Sequence, residues 1–216
     1  MNANKGKGEA KAIAAEKINI VEQDGTIRMT LFNSENMPSL IMGGEDILPG
    51  HRQDGYAAGI MFYNGEGDEC GGLIFGSKRG EKGEYESGLS LTFDQYKQDQ
   101  VVQVLLNESN GKKGYGFYIY DRPDEPIKES LAKGERIEKM ADGPGKTEAW
   151  QRLMEANPLR AFMGKSQDGE VSVQLRDSKG KKRISMGVDA NDVPKIEFFD
   201  AEGNVIYSIP PTKEEK

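Results

Sequence analysis

The chain has 216 residues with 27 glycines, 29 basic and 36 acidic side chains, one Cys and one His, and a net charge of −7. That charge argues against a sequence-independent nucleic-acid binder, which needs a basic stripe, and disfavours anionic lipid surfaces. A lone Cys70 and a lone His51 exclude intramolecular disulfides and a His/Cys-rich zinc site within one chain.

Residues 1–17 are rich in Lys, Gly and Ala and read as a flexible N-terminal segment, with a helical turn near residues 10–17. A β block is expected over 18–121. Its clearest early strand is Thr26–Phe32, where Ile27, Met29 and Leu31 alternate with Arg28 and Thr30. A long irregular loop follows over 33–56, broken by Pro38, Gly43-Gly44 and Pro49-Gly50, and loops of that length are usually functional or mobile. Strands come next at 59–63, 73–75, 88–93, 100–106 and 115–120. Val101–Leu106 is apolar on both faces apart from Gln103 and reads as a central strand covered on both sides.

The apolar period changes over 122–163, which reads as an inserted helical hairpin. Its helices fall at 127–140 and 147–156, with Ser130 or Thr147 as N-caps and Trp150, Leu153 and Met154 as the packing face. Residues 164–210 then read as a four-stranded meander with one apolar face, Pro194 at a strand start or edge, and 211–216 as a tail.

A turn pattern runs through the chain: a side-chain acceptor, two residues, then Gly. It appears at Glu22–Gly25, Asn64–Gly67, Glu108–Gly111, Ser166–Gly169, Asp177–Gly180 and Asp200–Gly203. An acceptor opening a type I turn and a Gly in left-handed conformation at its fourth position suit tight hairpins. The expected fold is therefore mainly β: an antiparallel hairpin and meander barrel or sandwich carrying an inserted helical hairpin.

The stretches INIVEQDG at Ile18–Gly25, FYNGEGDECGGLIFG at Phe62–Gly76 and LTFDQYKQDQ at Leu91–Gln100 resemble a family of bacterial proteins that share INIVE-DG, GGLIFGG and SFDQYEQDQ phrases. The resemblance covers most of the chain from Ile18 onward and implies no particular activity. Many such proteins have an apolar N-terminal segment for anchoring or export. This sequence shows none, so a cytoplasmic location is expected, with an envelope association as the alternative.

The polar, Gly-dense middle is the candidate ligand site: His51, Arg52, Asn64, Glu66, Asp68, Glu69, Asp94, Gln95, Asp99 and Gln100. Turn and surface networks use the same residue types. His51 oriented by Asp54 or Glu69 could act as a general base, but a lone His in a Pro/Gly loop is more often solvated. Asn64, Glu66 and Asp68 alternate like calcium ligands, yet Glu69 stands where an EF-hand requires Gly and Phe75 where it requires Glu. Cys70 lies among acids that raise its thiol pKa, so it reads as inert. No catalytic residue, metal or cofactor is assigned.

The expected function is that of a non-catalytic structural or interaction protein that self-associates into a homo-oligomer through the meander. No nucleic-acid partner and no membrane insertion are expected. The alternative is a β-barrel that binds or acts on a small molecule at its mouth, which requires Glu69, Asp94 and Gln100 to share one pocket.

Overall fold

The computed structural model describes residues 12–52 and 55–211. Antiparallel strands β1 (Lys17–Val21) and β2 (Ile27–Phe32) come first, then a two-residue ladder of β3 (Ile41–Met42) and β4 (Glu45–Asp46) inside the connection to β5 (Ala57–Tyr63). The meander continues through β6 (Glu69–Arg79), β7 (Tyr85–Asp94), β8 (Gln100–Ser109) and β9 (Lys112–Tyr120). Helices α1 (Ile127–Glu138) and α2 (Pro144–Glu155) precede β10 (Leu159–Lys165), β11 (Val171–Arg176), β12 (Lys182–Val188), β13 (Pro194–Phe199) and β14 (Val205–Ile209).

All strands except β3 and β4 join one twelve-stranded antiparallel sheet, and each pairs only with its sequence neighbours in that sheet. The helical hairpin is an insertion at a single point of this meander. Its ends meet where Asp121 N donates to Pro158 O at 3.0 Å and Arg160 pairs with Asp121.

The turn pattern explains the connectivity. At Asp200–Gly203 the Gly203 amide donates to Asp200 O, the Asp200 amide donates to Asn204 O, and Gly203 has φ +94°. Asp200 Oδ1 accepts from the amides of Glu202 and Asn204, closing the turn from its side chain. Asp177–Gly180 and Asn64–Gly67 repeat this arrangement. Asp189–Asp192 follows it without glycine, Asp192 taking φ +63°. Glu108–Gly111 is a correction: the strands run on to Ser109 and Lys112. The turn there is the pair Asn110-Gly111, both with positive φ, which is the type I′ solution.

The sheet is not a closed barrel, since β1 and β14 are its free edges. Nor does a second sheet pack on it as in a sandwich. In-register neighbours share a face, so one set of residues can be followed across all twelve strands. It runs from Ile18 and Ile20 through Leu31, Ile60, Leu73, Leu91, Val104, Phe117 and Met163 to Val173, Met186, Ile196 and Ile209. This face is apolar at its paired positions apart from small residues such as Gly71 and a polar margin near the β6–β7, β8–β9 and β10–β11 turns, made of Ser77, Arg79, Ser87, Glu108, Lys113 and Lys165. It lies open: Met163 is 57% and Met186 50% exposed. Val104, at the middle of the sheet, is exposed too. The expectation that Val101–Leu106 is covered on both sides therefore fails on this face.

The opposite face is covered in part. Phe32, Met61 and Tyr63 are its buried cluster, with Met37 and Ile74 packed against them. Met37 belongs to the 33–56 connection, which folds over β2, β5 and β6. Further along, the Phe162 ring lies over Gly116 and Gly164, where a Cβ would meet it at 2.8 and 3.0 Å. Tyr118 packs beside it, tilted by 49° with 5.0 Å between ring centroids.

Other expectations are corrected locally. Residues 12–17 hold no helical turn; residues 10 and 11 lie outside the described residues. Lys17–Val21 is a strand, and so is Leu159–Lys165, much of which had been placed in the helical hairpin. The C-terminal meander therefore has five strands rather than four. Pro126 and Gly143, not Ser130 and Thr147, precede the helices, and Pro144 opens α2, where its missing N–H costs nothing. Trp150 and Leu153 pack near Gly134, but Met154 is exposed.

Candidate functional site

Two β-bulges build the site. In β5–β6 the register slips after Phe62, so Tyr63 faces Glu69 and Cys70 is the extra residue. In β7–β8 it slips after Phe93, so Asp94 faces Gln100 and Val101 is extra. The first slip brings Glu69 and the second Gln100 onto the covered face, in line with Asp94, Thr92 and Ser90, which alternate along β7. The 33–56 connection closes over them and α1 begins at their edge.

These elements enclose a cavity of about 220 Å³. Met37, Leu40, Met42, Met61, Ile74 and Ile127 form its apolar wall; Arg52, Glu69, Ser90, Thr92, Asp94, Gln98, Asp99, Gln100 and Gln103 form its polar wall. Arg52 makes a bidentate pair with Glu69, at 2.7 and 2.8 Å, and donates to Pro38 O at 3.2 Å. Glu69 is 8% exposed. Gln103 Nε2 donates to Ser90 Oγ, and Gln98 Nε2 donates to Glu125 O. Arg122 donates through Nε to Gln100 O and pairs with Asp99 at 3.3 Å.

Asp94 has no such partner. Its carboxylate makes no hydrogen bond or ion pair with the described residues, and Oδ1 is sealed from solvent. Burial, then the charges of Glu69 and Asp99, push its pKa up to about 7, against the weaker pull of Arg122 and Arg52. Burial, Asp94 and Glu69 likewise push the Cys70 thiol up; the side chain is half-buried rather than buried as the sequence suggested.

Of the residues singled out in the sequence, Arg52, Glu69, Asp94, Asp99 and Gln100 converge on the cavity. The others do not line it. Asn64 Oδ1 accepts from the amides of Glu66 and Asp68 and so closes its own turn. Glu66 accepts from Tyr96 OH and pairs with Lys97, whose ammonium it holds above the usual range. Asp68 is fully buried and accepts from Gly43 N at 2.5 Å, fixing the β3–β4 hairpin. Gln95 Nε2 donates to Pro123 O. His51 is exposed, and Asp54, named as its orienting partner, lies outside the described residues. Gln98, in the same polar stretch of the sequence, lines the cavity too; Ser90, Thr92, Gln103 and Arg122 were missed. The period-two series Ser90, Thr92, Asp94 was the signal that placed the first two beside Asp94.

The open face carries a second concavity, an apolar groove of about 810 Å³ across β9–β14, lined by Phe117, Met163, Val173, Met186 and Ile196 among others.

No family model, no curated protein and no solved structure matches this chain. No described helix is long and apolar enough to cross a membrane.

Proposed function

We propose that this chain is a self-assembling structural or interaction protein, in which copies bury the open apolar face of the twelve-stranded sheet against one another. The observation that carries this reading is the unbroken apolar row from β1 to β14, none of it buried and Ile18, Ile20, Val104, Met163, Met186 and Ile209 exposed in the single chain.

The face is the right size for a second copy. At about 4.8 Å per strand and about 3.3 Å rise per residue, it measures roughly 55 by 13 Å. Pairing two such faces buries roughly 1,400 Å², inside the ~1,200–2,000 Å² of stable interfaces. It is too short for a bilayer: an outer-membrane barrel presents an apolar band of about 25 Å.

Native mass spectrometry and light scattering at micromolar concentration test the reading. The wild type is expected as a homo-oligomer. Met163→Glu with Met186→Glu, both on exposed side chains, is expected to give a folded monomer, and Phe198→Asp or Ile196→Asp to weaken assembly. A well-folded wild type that stays monomeric, or that floats with vesicles as a single copy, refutes it.

A further inference from the structure

We propose that the cavity between the β2–β5 connection and the covered face of β5–β8 is a binding site for a small primary ammonium compound. Its N–H donors would meet the Asp94 carboxylate, and its alkyl body would lie on Met37, Leu40 and Met42. This inference is independent of assembly, which uses the other face of the sheet.

The argument is an accounting of polar groups. Buried polar atoms are almost always hydrogen-bonded, and an exception calls for a missing partner. Around this cavity the guanidiniums are committed: Arg52 to Glu69 and Pro38 O, Arg122 to Gln100 O, Asn157 and Asp99. Gln98, Gln103, Ser90 and Thr92 have protein partners as well. Among the described residues, Asp94 Oδ1 is the one buried polar side-chain atom of the cavity wall that lacks one. What the wall lacks is a cationic donor.

The remaining chemistry narrows the class. An anion is disfavoured because Glu69, Asp94 and Asp99 all line the cavity. A metal ion is disfavoured because no group of three or more His, Cys, Asp or Glu side chains suited to an ion occurs among the described residues. A volume of about 220 Å³ holds about seven water-sized groups at ~30 Å³ each, so the ligand is small. The apolar wall favours a carbon chain over a second charge.

Ionisation of Asp94 sets the pH behaviour. The charged groups facing it are Glu69 on β6, Asp99 before β8, Arg122 after β9 and Arg52 in the long connection, with the Cys70 thiol beside it. The acids oppose its negative charge and an arriving ammonium relieves it. Binding should therefore strengthen as pH rises through about 7, whereas a neutral acceptor recognised by the protonated acid should weaken over the same interval.

Saturation-transfer NMR and calorimetry with n-pentylamine, against 1-pentanol as the neutral probe, make the test. Saturable amine binding that tightens from below to above the Asp94 value, with the alcohol at least about tenfold weaker, is expected. Asp94→Asn, checked for folding by its melting transition, is expected to abolish the preference for amine. The pH profile of the wild type decides the matter even if that variant fails to fold. Equal binding of alcohol and amine, a profile that falls as pH rises, or no saturable binding at millimolar amine overturns the proposal and leaves a water-filled polar void.

Discussion

Arg52 stands in the connection between β2 and β5, and its meeting with Glu69 on β6 holds that connection over the sheet. With side-chain exposures of 18% and 8%, the pair is largely dry. Removing one partner strands the other charge, which typically costs about 3–5 kcal/mol. Arg52→Met is expected to lower stability by that order in denaturant titrations, and Arg52→Met with Glu69→Leu to recover much of it. Asp94 behaves in the opposite sense. Its folded pKa of about 7 lies above its ordinary value of 3.8, so between those values the folded protein binds more protons than the unfolded chain. Stability therefore falls as pH rises from about 4 to about 7 and is level above that. A displacement of about three units caps the penalty at about 4 kcal/mol. Asp94→Asn is expected to melt several degrees above the wild type on the alkaline side of 7, with the gain vanishing near pH 4. The turn aspartates Asp177, Asp189 and Asp200 act in reverse: their pKa values are lowered, so their stabilisation is present above the ordinary 3.8 and fades below it.

At the scale of elements, the hairpin turn is the unit that recurs, and its glycine can be tested by exchange. Gly203 has φ +94° and open space where a Cβ would stand. Gly203→Ala therefore meets no clash and reports the backbone cost alone, about 1–2 kcal/mol. Asp192 occupies the equivalent place at φ +63°, and Asp192→Gly is expected to be neutral to mildly stabilising, by under about 1 kcal/mol after the entropy of glycine. Thermal melts of the two variants should move in opposite directions or leave Asp192→Gly unmoved; matching losses would contradict the assigned turn. This regularity is why the fold class was legible. Acceptor and glycine spacing, with period-two apolar runs, marked most strands and the helical insertion before any coordinates. What escaped was non-local. Leu159–Lys165 reads as a continuation of the helical segment until Tyr115–Tyr120 pairs with it. The site was half legible: Glu69, Asp94 and Gln100 stood out as polar residues, but only the two bulges turn them onto one face. Arg122 lies beyond β9 and reaches the site through the folded chain. No local pattern announces it.

For the whole molecule the question is what a sheet of twelve strands does with two faces of opposite character. The covered face holds the small buried cluster of Phe32, Met61 and Tyr63, a modest core for a chain of 216 residues. The open face holds most of the remaining strand hydrophobics, so the single chain leaves much of its hydrophobic stabilisation unused. If copies bury that face together, folding and association become linked, and apparent stability depends on protein concentration. A face-to-face pair is self-complementary and closes, whereas pairing through the free edges of β1 and β14 would run on into fibres. Each tenfold rise in concentration should therefore add about 1.4 kcal/mol to dimer stability and raise the melting temperature by a few degrees. Calorimetry over a hundredfold dilution series measures this directly. The Met163→Glu and Met186→Glu double variant should melt at one temperature throughout, because it cannot draw on the second copy. Because the charges of this face at paired positions, Arg79, Glu108, Lys113 and Lys165, stand at its margin near the turns rather than in the apolar row, added salt should not weaken the wild-type dependence, as it would for an interface held by ion pairs. A wild-type melting temperature that ignores concentration would mean that the apolar face is stable in water by itself, and the assembly reading would be lost.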